Sequence, residues 1–182
     1  MADMNFFDRP LAFTDVETTG TDELVHEIVE IGLVVADQRS LQVVGELDLK
    51  VKPEHIELAT PEALAVNGYL EEDWRDALAL SEAMKIYAAM TKDAVFVAHN
   101  ATFDWSFIKM AFRLTGVANE MDYHRLCSMS MCWYELRQAG LSKFGLKYAA
   151  RHLGVPEEPL PHRAINGART AFEVFKRLAA RP

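Results

Sequence analysis

Along the first fifty positions, apolar residues recur in the short runs and alternations of β-structure. Leu11–Asp15 opens as an apolar run, Ile28–Ala36 (I-V-E-I-G-L-V-V-A) is apolar almost throughout, and Val43–Val51 alternates apolar with polar residues. Each reads as a strand, and the turn formers Asp37 and Ser40 between the second and third point to an antiparallel meander. After Pro53 the apolar spacing changes to three and four. Pro61 suits the start of a helix over Glu62–Val66, and Ser81–Met90 carries Ala83, Ile86, Tyr87 and Met90 on one face. Ala94–Ala98 (A-V-F-V-A) is a short, fully apolar strand of the kind buried on both faces. From Thr102 onward the pattern is mostly helical. Thr102–Thr115 is closed by Gly116, Met129–Gln138 by Gly140 and Lys143–Leu153 by Gly154; a last helix runs to about Leu178, and a short strand fits around His124–Cys127. A meander, then a strand between helices, then helices make an α/β domain with a mixed sheet. The linker-like stretch Gly154–Pro161 is too short to divide the chain, so one domain over residues 1–182 is expected.

Composition narrows this further. Half of the 182 residues are hydrophobic and no low-complexity tract occurs, which argues against disorder. The N-terminus M-A-D-M-N-F-F-D-R-P has neither the basic nor the apolar region of a signal peptide, and no apolar run approaches the ~20 residues of a membrane span. The expectation is a cytoplasmic protein without a membrane partner, its Cys127 and Cys132 reduced thiols in no metal-ligand spacing. A net charge of −8 argues against non-specific coating of nucleic acid. Residues 1–100 hold 7 Lys/Arg against 20 Asp/Glu, whereas residues 101–182 hold 12 against 7. That division suits a carboxylate cluster beside a phosphate-binding rim, and equally well charges scattered over a solvated surface.

Four places carry candidate chemistry. In F-T-D-V-E-T-T-G (13–20), Asp15 and Glu17 share one strand face, opposite Val16, where an apolar strand leaves the core. Two carboxylates held so close raise each other's pKa and call for a cation or a shared proton. The Thr18-Thr19-Gly20 turn behind them can bring backbone N–H groups close to a ligand. In H-N-A-T-F-D (99–104), Asn100 or Thr102 can cap a helix whose first turn holds Asp104. The helix dipole favours a negative charge there, and strand ends of α/β sheets are where ligands bind. In P-H-R-A-I-N-G-A-R (161–169), His162 sits at a loop–helix junction, where a water-activating base is well placed. Finally, Lys143, Lys147 and Arg151 stand at i, i+4 and i+8, either a solvated face or a phosphate-contacting rim. Singly, each has an ordinary structural reading.

Taken in order, these motifs resemble those of the DEDDh 3′→5′ exonucleases, a family that includes the proofreading subunit of the bacterial replicative polymerase, RNase T and oligoribonuclease. F-x-D-x-E-T-T-G followed by I-V-E-I-G matches the first motif and V-A-H-N-A-x-F-D the second. H-R-A with A-R-x-T-A-x-x-V-F matches much of the third, so the likeness covers nearly the whole chain. It implies a ribonuclease H-like fold, with a mixed, roughly five-stranded sheet flanked by helices, and two Mg²⁺ or Mn²⁺ ions. It further implies hydrolysis of single-stranded nucleic acid from the 3′ end to nucleoside 5′-monophosphates. Carried over, Asp15, Glu17 and Asp104 are metal ligands and His162 the general base. Thr18, Thr19 and Gly20 line the pocket for the terminal nucleotide, and Asn100 and Phe103 fix the site beneath it. DNA and RNA both stay open as substrates, as does a polymerase or another protein as partner.

One position departs from the pattern. Where the family's third motif has Asp, five residues after its His, this chain has Gly167. The neighbouring Asn166 is turned ~100° away on a helix, and glycine there costs ~0.5–1 kcal/mol relative to alanine. A degenerate enzyme, a substitution that traps substrate and a site in which water fills the gap are all compatible. So is a different kind of protein, an exonuclease-fold module that binds nucleic acid or a protein partner with little or no catalysis.

Overall fold

The computed structural model describes residues 4–141 and 143–180. Five strands, β1 (Leu11–Thr18), β2 (Ile28–Ala36), β3 (Val43–Lys50), β4 (Val95–Ala98) and β5 (Arg125–Cys127), form one sheet in the order β3-β2-β1-β4-β5. β1 to β3 are the expected antiparallel meander, and β4 and β5 run parallel to β1. Six helices flank the sheet: α1 (Pro61–Asn67), α2 (Leu80–Met90), α3 (Ala101–Thr115), α4 (Ser128–Leu136), α5 (Leu146–Leu153) and α6 (Ala164–Ala179). This is the ribonuclease H-like arrangement that the motifs imply.

Alternation along β1 divides the core. Ala12 and Val16 pack with Ile31, Leu33 and Phe96 against α2 and α3. Leu11 and Phe13 pack on the opposite face with Val34, Val95 and Val97 against Ile165, Ala168, Phe172 and Phe175 of α6. The even positions therefore face α2 and α3, and the odd ones, including Asp15 and Glu17, face α6. β2 is buried at every position, because both sheet faces are covered there.

Several boundaries differ from expectation. β1 continues three residues past Asp15 and irregular pairing begins only between Glu17 and Thr18, because β2 pairs with it throughout. β4, by contrast, pairs with β1 only from Leu11 to Phe13. The last five residues of β1 thus carry a free edge on that side, where a side chain can bond. α5 begins at Leu146 rather than at Lys143: Gly145 is its extended N-cap. α4 closes at Leu136, four residues before Gly140.

The start of α6 lies directly on β2. A Cβ at Gly32 would meet the backbone of Ala164 and Ile165, so only glycine permits this approach. Gly32 is the cross-strand partner of Asp15. The same contact therefore seats the first turns of α6 over the two acids.

Candidate active site

The two acids of β1 project into the space that the free strand edge, the loop before α6 and the first turns of α6 enclose. Asp104, in the first turn of α3, reaches this place from the other side of the sheet. Its Oδ1 accepts a hydrogen bond from Val16 N at 3.1 Å, on the edge that β4 leaves unpaired. Asp104 is almost wholly buried, with 3% of its surface exposed. Asp15, Glu17 and Asp104, nearly ninety residues apart in sequence, are brought together.

His162 arrives through the loop before α6. Its N–H donates to Val66 O at 3.1 Å, and its Nδ1 lies 3.2 Å from Glu158 Oε2. Glu158 Oε1 accepts from Arg163 N at 3.3 Å. Ligand atoms of Glu17, Glu158 and His162 all lie within 4.8 Å of one another. The next residue, Arg163, anchors the loop: its Nη1 pairs with Glu30 Oε1 at 3.0 Å and donates to Asn67 O at 2.8 Å. Asn67 Nδ2 in turn donates to Thr18 O at 3.0 Å. Glu30 Oε2 accepts from Ala164 N at 3.1 Å, which satisfies one of the free N–H groups at the start of α6. One chain of hydrogen bonds therefore ties the exit of β1 to the start of α6.

Glu158 and Glu30 were not among the candidates. Glu158 lay in a stretch that reads as a linker, and its signal is a carboxylate four residues before His162. Glu30 is the one charge in an otherwise apolar strand, and that exception was its signal.

The electrostatics are those of a crowded anionic site. Burial holds the Asp15 carboxyl well above the usual carboxylate range, and Asp104, Glu17, Glu158 and Glu30 add to the rise. Burial, then Glu158, Glu30 and Asp104, push Glu17 up to about 8 against the opposing charge of Arg163. Asp104 rises to about 7 through burial, although the Val16 N–H pulls it down. Glu158 is raised as well, by burial, against His162 and the Arg163 N–H.

Gly167 faces the same cluster. A Cβ built on it would stand 2.6 Å from Cγ and 3.0 Å from Oδ1 of Asp15, so a side chain here would enter the space that the Asp15 carboxylate holds. The sequence model of the exonuclease family matches residues 12–175, a span that takes in all of these groups. The chain belongs to the exonuclease family. It is similar to DNA polymerase III PolC-type of Thermotoga maritima (29% identical over 180 residues, 96% of this chain and 12% of the relative). It is also similar to that of Caldanaerobacter subterraneus subsp. tengcongensis (30% over 161 residues, 88% and 11%). The chain thus spans only a small part of these polymerases. Among solved structures it resembles E. coli exonuclease I in complex with a dT13 oligonucleotide (TM-score 0.81, 18% identity, 95% of this chain and 41% of that one). It resembles, too, a 3′-exonuclease that recognises the histone mRNA stem-loop (TM-score 0.75, 15% identity, 97% and 66%).

Exonucleases of this family depend on divalent metal, and the residues present suit one. Among the described residues no donor bonds to the carboxylate of Asp15 or Glu17. The oxygen-rich set of Asp15, Glu17 and Asp104 matches hard cations such as Mg²⁺ and Mn²⁺. The remaining exonuclease motif residues are placed as follows. Thr18 and Thr19 are buried and hold their own turn, Thr18 Oγ1 donating to Gly20 O at 2.6 Å and Thr19 Oγ1 accepting from Glu27 N at 2.8 Å. Gly20 lies under the His26 ring. Asn100 is exposed in the left-handed region (φ 68°) as the N-cap of α3, but its side chain makes no capping bond. Phe103 is half-buried, its ring centroid 5.1 Å from that of Phe107.

The cationic stripe needs correction. Lys143 precedes the helix, so it does not share a face with Lys147 and Arg151. Those two are turned toward Glu157, Arg151 Nη2 at 2.8 Å and Lys147 Nζ at 3.9 Å, and part of their charge is already engaged.

Proposed function

We propose that this exonuclease removes nucleotides one at a time from the 3′ end of single-stranded nucleic acid and releases nucleoside 5′-monophosphates. The observation that carries the reading is the convergence of Asp15, Glu17 and Asp104 on the free edge of β1, with His162 beside them. In this reading the three carboxylates hold two Mg²⁺ or Mn²⁺ ions. When bound, the ions neutralise the scissile phosphate and lower the pKa of the attacking water. Asp15, between the strand edge and α6, would be a ligand that the metal site holds in common with its neighbours. Glu17 and Asp104 flank it. With the Glu158 carboxylate 3.2 Å from Nδ1 of His162, the imidazole offers Nε2 to take the proton of the attacking water. The turn of Thr18, Thr19 and Gly20 presents backbone groups to the terminal nucleotide, and Asn100 and Phe103 lie beneath it. A polymerase is the protein partner that the PolC-type relatives suggest, and the protein works in the cytoplasm.

Gly167 favours one rival, an exonuclease-fold module that binds nucleic acid with little catalysis. A 5′-labelled single strand, DNA and RNA in parallel, separates the two in the presence of Mg²⁺ or Mn²⁺. The expected product is a ladder that shortens from the 3′ end, abolished in Asp15→Asn while circular dichroism stays unchanged. Calorimetry should show weaker metal binding by that variant. No degradation by the unaltered protein with either ion, together with intact strand binding, would favour the module.

A further inference from the structure

A second feature begins where the first turn of α3 leaves the acids. A cavity of about 460 Å³ runs along the outer face of α3. Thr102, Ser106, Lys109 and Arg113 line it at i, i+4, i+7 and i+11, one stripe of the helix. At 1.5 Å per residue that stripe is roughly 16 Å long, and it starts in the same first turn as Asp104, on the outer side of the helix. Lys109 and Arg113 are exposed, and among the described residues neither forms an ion pair.

Beside the stripe, Trp105 of the same helix meets Arg125 of β5. The Arg125 guanidinium lies over the Trp105 ring, 3.5 Å from its centroid, and the ring edge rests on Phe96. Arg125 Nη1 donates to the carbonyls of Asp122 and His124, whereas its Nε is buried without any partner. An under-bonded guanidinium of this kind is a rarity in a native fold. Three cations face this cavity against one acid, Glu23, in a protein whose net charge is −8. Cations along a groove, with an aromatic ring and a flat guanidinium for bases to lie on, are what a single strand requires.

We propose that this cavity holds the strand upstream of its 3′ end: Lys109 and Arg113 contact phosphates, and the Arg125–Trp105 pair supports a base. The assignment rests on the exonuclease reading for its direction, since the strand enters the acids from the α3 side. It does not depend on turnover. Electrostatically, the cavity offsets the repulsion between an acidic protein and a polyanion, and draws the strand to the one side where the acids can receive it.

Fluorescence anisotropy with 5′-fluorescein-dT12 and with the labelled dinucleotide pdTpdT tests it, with Ca²⁺ replacing Mg²⁺ to limit hydrolysis. In K109A/R113A, the advantage in affinity of dT12 over the dinucleotide should shrink at least fivefold. The salt dependence of dT12 binding should flatten by about 1.4 in log–log slope, ~0.7 for each lost phosphate contact. Both positions are exposed on a helix and alanine is a good helix former, so the fold should hold. K85A/R177A removes the same charge elsewhere and should leave the advantage intact. An unchanged advantage in K109A/R113A, or an equal loss in both variants, overturns the proposal, whereas a 3′-end ladder from the unaltered protein would still stand. A fivefold loss confined to K109A/R113A supports the cavity even if the unaltered protein degrades nothing, in which case the exonuclease reading alone fails. No binding of dT12 by the unaltered protein overturns both.

Discussion

At Gly167 a missing side chain and a crowded carboxylate occupy the same small space. A Cβ there meets the end of the Asp15 side chain rather than backbone, and a carboxylate can rotate away. Gly167→Asp therefore adds a further acid beside Asp15. Without metal it should lower stability by about 1–3 kcal/mol, the usual cost of overpacking, with charge repulsion in addition. With metal the sign reverses. Calorimetry should show affinity at least tenfold higher, and turnover on a labelled strand should rise with it. The gain should be larger in Mg²⁺ than in Mn²⁺, because Mg²⁺ has the stricter geometry. Equal affinity in both proteins would mean that Gly167 does not mark the vacant ligand position. His162→Ala should lower kcat by ~10²-fold or more with little change in KM, as for a base that acts in the transition state. A fall in affinity with kcat intact would make His162 a binding residue. Asp15, Glu17, Asp104 and His162 stood out as candidates by type and spacing, and their roles came from the likeness to the exonuclease motifs. Glu158 did not, because V-P-E-E-P reads as a linker and only the fold turns that glutamate back toward His162.

At the scale of elements, the site is produced by mismatched lengths and one close approach. β4 stops pairing at the level of Phe13 while β1 continues to Thr18, so α3 can dock Asp104 on the edge left free. Gly32 lets α6 lie flat on β2, opposite Asp15. Gly32→Ala would set a methyl against the Ala164 backbone, which cannot yield as a side chain can. The expected loss is about 3 kcal/mol, the upper part of the overpacking range, or roughly 6–12 °C in Tm for a chain of this size. Since the same contact holds His162 near the acids, metal affinity should fall as well. Thermal unfolding and calorimetry check both, and a variant with unchanged Tm would contradict the close approach. The misplaced start of α5 belongs to this scale. Helical spacing of Lys143, Lys147 and Arg151 is real in sequence, but Gly145 interrupts the backbone between the first and the other two.

Across the whole molecule, the acids carry more charge than the folded chain can solvate. Asp15, Glu17, Asp104 and Glu158 bind protons more tightly folded than unfolded, where carboxylates titrate near 4. Their contribution to stability is fully present below that pH and is lost as pH rises through about 7 for Asp104 and about 8 for Glu17. The metal-free protein should thus lose roughly 4–8 °C in Tm between pH 5.5 and 8.5, the equivalent of about 2 kcal/mol. Bound Mn²⁺ displaces those protons, so its stabilising effect should grow over the same range. Scanning calorimetry with EDTA and with Mn²⁺ measures both slopes. A flat metal-free profile would show that the acids are solvated rather than crowded together.

Local signals were sufficient for much of this. Alternation and apolar runs depend on neighbours a few residues away, so strands, helices and their order could be read without any knowledge of packing. Likewise, the three acidic and histidine motifs were visible because their chemistry is written in short spacings. What only tertiary structure decided are the relations between distant segments. Glu30 pairs with Arg163 across 133 positions, Gly32 makes room for α6, and Asp104 bonds an edge that exists only because a different strand ends early. In each case the partner is set by which surfaces the core brings together, and no local pattern encodes that.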